Sequence, residues 1–227
     1  MKLQFLKTLI LGAALTASCL GNVANANIIV LDFEGISNST SVDDFYNGGT
    51  DGTGNSGVNY GVSFSSNTLA LIDEDAGGSG NFANEPSGST AMFFTTGSSA
   101  ILNFAAGFDT GFSFFYTSSA VASVNVFDDV NGAGNLLGSI NLAAQFSDNC
   151  NGDPNGTFCN WTSTGINFAG IAKSIDFGGT VGQVAFDDIT LGSEVAREQP
   201  TDVPEPSTLA IFALGIMGLV SRRFAKK

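Results

Sequence analysis

The chain has 227 residues, with 21 acidic side chains against eight lysines and arginines, no histidine, and a net charge of −13. That balance disfavours nucleic acid and anionic lipid surfaces, and favours solubility and divalent cations. Without histidine there is no Ser-His-Asp triad, no histidine base and almost no route to a zinc, copper or iron site.

The first segment places Lys2 and Lys7 ahead of an apolar stretch from Leu9 to Leu15, followed by Ala24-Asn25-Ala26. This is the charged n-region, h-region and A-x-A site of a secretory signal peptide. Residues 1–26 are therefore expected to be removed, leaving Asn27 as the first residue. Thr16-Ala17-Ser18-Cys19 is a rival signature, a loose lipobox that would make Cys19 a lipidated first residue, with threonine where an aliphatic residue is usual.

Residues 27–192 read as one domain of about 165 residues. Glycine, serine, asparagine, threonine and aspartate punctuate short apolar runs, and no segment keeps a helical period for three turns. Strands are predicted at Ile28–Phe33, Val58–Ser65, Ala91–Thr95, Ala100–Phe104, Phe112–Thr117, Ala122–Asp128, Leu136–Asn141, Ile171–Phe177 and Val184–Leu191. Asn47 to Gly61 and Asp73 to Ser89 read as long loops, and residues 129–135 (DVNGAGN) as a hairpin connection. This spacing predicts an all-β fold, an antiparallel β-sandwich of jelly-roll type. Phenylalanine supplies its core: of 20, only Phe5, Phe212 and Phe224 fall in the terminal segments. Phe112, Phe114 and Tyr116 alternate with Ser113, Phe115 and Thr117, giving that strand one wholly aromatic face.

Loss of the signal peptide leaves Cys150 and Cys159, an even pair expected to form a disulfide in an oxidising compartment. The chain-entropy model gives about 2.5 kcal/mol for so small a ring. Aromatic side chains suited to stacking on a sugar are few: Trp161, Tyr46, Tyr60 and Tyr116, the last assigned to the core. Trp161, beside the cysteine loop, is the candidate glycan contact. Asn149, Asn151 and Asp153 alternate like calcium ligands, but Pro154 stands where an EF-hand needs glycine. Gly48-Gly49-Thr50-Asp51-Gly52 is a single glycine-aspartate unit, too little for a calcium roll. No G-x-S-x-G, H-E-x-x-H or lysine-bearing phosphate loop occurs. No catalytic residue is nominated, and the chain reads as a non-enzyme.

Residues 193–202 are a linker. The tail, 203–227, has three parts: Val203-Pro204-Glu205-Pro206, an apolar run from Leu209 to Val220, and a basic end with Arg222, Arg223, Lys226 and Lys227. The prolines stop a helix from extending backwards, and Ser207 can cap one that starts beyond them. The apolar run is about 18 Å of helix, and Ser207 to Phe224 roughly 27 Å, enough to cross a thin bilayer as a short transmembrane helix. The cations after it keep the C-terminus cytoplasmic. Between the two terminal segments only Lys173 and Arg197 stand against the 21 acidic residues, so the exported part is more acidic than the whole.

The order of motif, short helix and basic end resembles the PEP-CTERM sorting signal of exported proteins of Gram-negative bacteria. The resemblance implies recognition and cleavage by an exosortase, a transient inner-membrane stage, delivery to the cell surface or medium, and association with exopolysaccharide or biofilm. Between the ends, the pairing of Phe33-Glu34-Gly35 with Phe186-Asp187-Asp188-Ile189-Thr190-Leu191 resembles the jelly-roll architecture of carbohydrate-binding modules. In those modules acidic residues near both ends hold a structural Ca²⁺, which makes Glu34, Asp187 and Asp188 the candidate ligands here.

Overall fold

The computed structural model describes residues 28–145, 150 and 156–196. The expected signal peptide, the Asn149, Asn151 and Asp153 positions and the whole sorting tail lie outside the described residues. The described residues form twelve strands in two antiparallel sheets, with one 3₁₀ turn at Val130–Gly132. Among the described residues no helix is long and apolar enough to cross a membrane.

The strands are β1 (Ile29–Leu31), β2 (Thr40–Ser41), β3 (Val62–Phe64), β4 (Thr68–Ile72), β5 (Thr90–Phe94), β6 (Ser99–Phe108), β7 (Gly111–Ser118), β8 (Ala122–Phe127), β9 (Leu136–Leu142), β10 (Thr162–Asn167), β11 (Ala172–Gly178) and β12 (Val184–Leu191). The larger sheet runs β10-β7-β12-β5-β4-β2 with β1 also on β12, and the smaller runs β3-β6-β11-β8-β9. From β9 onward each strand crosses to the opposite sheet, so both sheets draw on both halves of the chain and close one core between them. This is the jelly-roll-like sandwich predicted from the strand spacing.

The aromatic face of β7 is where the sheets meet. Phe112 and Phe114 are fully buried and Tyr116 nearly so. Phe114 packs edge-on against Phe186 of β12 at 5.5 Å and against Phe177 of the smaller sheet at 6.0 Å, while Phe177 and Phe186 lie 4.8 Å apart. Each such ring contributes roughly 1.5–3 kcal/mol by burial, and the edge-to-face pairs about 0.5–1.5 kcal/mol more.

The hairpin between β8 and β9 forms as expected, pairing Phe127 with Leu136 through Ala122 with Leu142. Its turn is held by the Asp128 carboxylate, which accepts from the Asn135 amide at 2.6 Å and from the Asn135 side chain at 2.9 Å. These bonds, that from the side chain foremost, keep the Asp128 carboxyl below its usual value.

Three strands are absent from the sequence reading, and each has a local cause. β4 reads TLALI, whose alanine and leucines carry no β preference. β10 reads TSTGIN, an edge strand without buried positions and hence without an apolar period. β2 is only two residues long. Conversely, Val58 to Gly61 is loop rather than the start of β3, and Val58 is 60% exposed. Asn47 to Gly61 and Asp73 to Ser89 are connections without strands, as the loop composition implied.

Candidate functional site

β12 changes neighbour halfway along. Its first half pairs with β5 (Phe186 with Met92), and its second half pairs with β1 (Leu31 with Ile189). β1 and β5 are therefore collinear, the end of one meeting the start of the other beside the middle of β12. At that point the register of β12 on β7 shifts between Asp187 and Thr190, and Asp188 takes a left-handed backbone at φ 47°. Such a conformation is uncommon for a residue other than glycine and marks a bulge held by its surroundings.

The junction interrupts the regular ladder of backbone bonds, and carboxylates take over part of it. Glu34, just past β1, accepts from the amides of Ser89 at 2.9 Å and Thr90 at 2.8 Å through one oxygen, Oε1. The carboxylate approaches so closely that a side chain at residue 88 would collide with it. A Cβ there would stand 2.2 Å from Glu34 Cδ, and Gly88 has φ +45°. Asp187, fully buried opposite Phe115, accepts from the Ser87 amide at 3.1 Å and from the Ser87 hydroxyl at 3.0 Å on Oδ2. Its Oδ1 accepts from the Asp188 amide at 2.7 Å. Tyr46, from the β2–β3 connection, accepts the Phe33 amide at 2.7 Å, and Asp32 Oδ1 accepts the Glu34 amide at 3.2 Å.

Burial, then the charge of Asp188, pushes the Asp187 carboxyl up to about 8, against the opposing effect of its three donors. Burial and then the charge of Asp32 likewise raise the Tyr46 phenol well above its ordinary value. This is an electronegative, enclosed spot in which either a proton or a cation would relieve repulsion. Both oxygens of Asp187 and one of Glu34 already accept from N–H or O–H groups, and such bonds stabilise the charged carboxylate against the effect of burial. Among the described residues no three His, Cys, Asp or Glu side chains are grouped as a metal site.

The structure thus brings Glu34, Asp187 and Asp188 to one junction, as their positions at opposite ends of the domain suggested. Its other members, Ser87 and Tyr46, carry no sequence signal for this role. Tyr46 was grouped with the sugar-stacking candidates, yet it is buried, with Tyr60 stacked on it at 6.2 Å.

The glycine-aspartate unit is also self-contained. Asp51 is 4% exposed. Its carboxylate gathers the amides of Ser37, Thr53 and Asn55 together with the side chains of Thr53 and Asn55. Burial alone would raise its pKa, but these donors outweigh burial and hold the carboxyl well below the usual range.

Cys150 and Cys159 are joined in a disulfide, with Cα atoms 5.4 Å apart. Trp161, two residues on, is half-buried. Its indole N–H donates to the Ala83 carbonyl at 3.2 Å, and its ring meets Phe82 edge-on at 6.1 Å.

Residues 202–223 match the PEP-CTERM protein-sorting motif, so the chain carries the address of an exported protein sorted to the cell surface. The fold behind that address is the all-β sandwich described above. No curated protein sequence matches the chain. Among solved structures it is similar to the K2 cleaved adhesin domain of Lys-gingipain, at 10% identity over 74% of this chain and 98% of that one, TM-score 0.43. It is also similar to a carbohydrate-binding module from Cellvibrio mixtus lichenase 5A in complex with cellotriose, at 14% identity over 56% and 88% of the two chains, TM-score 0.35. A third is a Bacillus subtilis family 43 arabinoxylan arabinofuranohydrolase in complex with cellotetraose, at 16% identity over 58% and 26%, TM-score 0.37.

Proposed function

We propose that the protein is a non-catalytic ectodomain, handed by its C-terminal motif to an exosortase-type enzyme at the inner membrane, trimmed there, and delivered to the cell surface or matrix in association with exopolysaccharide. The observation that carries this reading is the sorting motif at residues 202–223, set behind an acidic, disulfide-bearing sandwich. Deleting residues 203–227 should leave the chain exported but absent from the surface fraction. Unchanged surface delivery of the truncated chain contradicts the reading.

A second reading is a polysaccharide-binding module. Its support is Trp161, a half-exposed ring fixed in orientation by Ala83 and Phe82, since stacking on a sugar gains from a ring that loses no freedom on binding. A glycan array comparing wild type with Trp161→Ala separates the two readings. Binding lost in the variant supports the module, and no binding by either protein returns the account to a plain surface protein.

In the calcium version of that module, Glu34 and Asp187 would exchange their present donors for the ion. Equal melting temperatures in EDTA and in millimolar Ca²⁺ would eliminate it. A polysaccharide-active enzyme would need activity that one particular carboxylate abolishes on replacement.

A further inference from the structure

Alternation along the strands turns Leu71 of β4, Phe93 of β5 and Ala185 of β12 to the outer face of the larger sheet, away from the core residues Ala70, Met92 and Phe186. That apolar strip is covered. Phe82, in the middle of the β4–β5 connection, is 2% exposed and shares a pocket with Leu71, Phe93, Ala185 and Phe158.

The cover is fastened from the other side by the segment ending at the disulfide. The amides of Thr157 and Phe158 both donate to the Asn81 carbonyl, at 2.6 and 3.2 Å. The Ala83 amide donates to the Phe158 carbonyl at 3.2 Å, and Phe82 and Phe158 form a short parallel bridge. Asn81 Nδ2 donates to Thr157 Oγ1 at 3.1 Å, and Trp161 completes the clasp through Ala83. Cys159 sits within this clasp, next to Phe158, and is tied to the buried Cys150. Four residues beyond Ala83, the same connection supplies Ser87 to Asp187.

We propose that the Cys150–Cys159 disulfide is a latch: formed, it holds the β4–β5 connection down on the larger sheet and the Asp187 junction closed; reduced, it lets that connection lift, uncovering Leu71, Phe93 and Ala185 and admitting water to Asp187. In closing, the two thiols pass two protons and two electrons to a disulfide oxidant of the exporting compartment, whose own S–S bond breaks to a dithiol as the Cys150–Cys159 bond forms. Dithiothreitol opens the latch by thiol–disulfide exchange and is itself oxidised to its cyclic disulfide. The chain is therefore unlatched while it is still in the reducing cytoplasm and latched once exported. This inference does not depend on how the tail is processed.

Amide hydrogen exchange on the protein recovered from the exporting cell, with and without dithiothreitol, tests it. Reduction should speed exchange on the order of tenfold or more at Ala83, Ser87, Ser89 and Thr90, while Val124 and Ile175 in the smaller sheet stay protected. Emission from Trp161, the chain's one tryptophan, should shift to the red in parallel. Cys150→Ser/Cys159→Ser should reproduce both changes without reductant. Unchanged exchange at those four amides overturns the proposal. So does an acceleration shared equally by both sheets, which would mean simple loss of global stability.

Discussion

The buried Asp187 should give the protein a pH dependence across the neutral range. In the fold its carboxyl titrates near 8, and in the unfolded chain near 3.9. A carboxyl raised on folding binds a proton in the native state that the unfolded chain has already released. The contribution of Asp187 is therefore fully present below about pH 4 and is lost as pH rises towards 8, by up to roughly 1.4 kcal/mol per pH unit.

The absence of histidine makes the window above about pH 5.5 unusually clean. Asp51 and Asp128, both lowered, contribute stability above about pH 4 that is lost only below it, so they are silent here. Tyr46, raised, stays neutral throughout. Between about pH 5.5 and 8 the Asp187 effect amounts to roughly 3 kcal/mol, an upper figure because water reaching the site would shrink the shift.

The assay is urea unfolding at several pH values across that window, for wild type and Asp187→Asn. Asparagine keeps an acceptor for the Asp188 amide but turns an N–H₂ toward the Ser87 amide. The variant should be destabilised by about 1–3 kcal/mol at pH 5.5 while its pH profile goes flat. A wild-type profile that is flat or rising, or a slope that persists in Asp187→Asn, refutes the argument.

Further predictions concern the same junction. Glu34→Ala leaves the Ser89 and Thr90 amides without their acceptor and should cost about 1–3 kcal/mol, a fall in melting temperature of about 2–4 °C for each kcal/mol. Glu34→Gln, which keeps that oxygen, should cost under about 1 kcal/mol. Gly88→Ala drives its Cβ into the Glu34 carboxylate and should cost at least as much as Glu34→Ala. In the double variant the penalties should fall short of additive, Gly88→Ala adding to the cost of Glu34→Ala only the backbone strain of about 1–2 kcal/mol at residue 88. Full additivity in thermal melts would show that Gly88 and Glu34 act independently. Millimolar Ca²⁺ should leave the wild-type melting temperature where EDTA puts it, because the oxygens of Asp187 face donors. A rise of several degrees would place a cation at the junction instead of a proton.

The sandwich was legible because its inner strands carry their own pattern. β12 was read to the residue, and β7 within one residue at each end, since phenylalanine alternation announces a buried face. Edge strands carry no such pattern: β10 exposes both faces, so nothing in TSTGIN separates strand from loop. The acidic junction was half legible. Glu34, Asp187 and Asp188 stood out as acids beside strand ends, in chain segments that a sandwich brings together. What they bind did not. Only the backbone course shows that Asp187 meets Ser87, a hundred residues earlier, because that contact depends on where the β4–β5 connection crosses the sheet. Trp161 shows the same limit. Its place beside the disulfide was plain, but the carbonyl that holds its indole lies 78 residues away.

Intact-mass analysis of the protein released from the cell surface tests the central claim most directly. The account predicts a chain that begins at Asn27, contains one disulfide, and has lost the segment after the Pro204-Glu205-Pro206 motif. Recovery of the full C-terminus, Lys227 included, from a cell with a working sorting enzyme would contradict it.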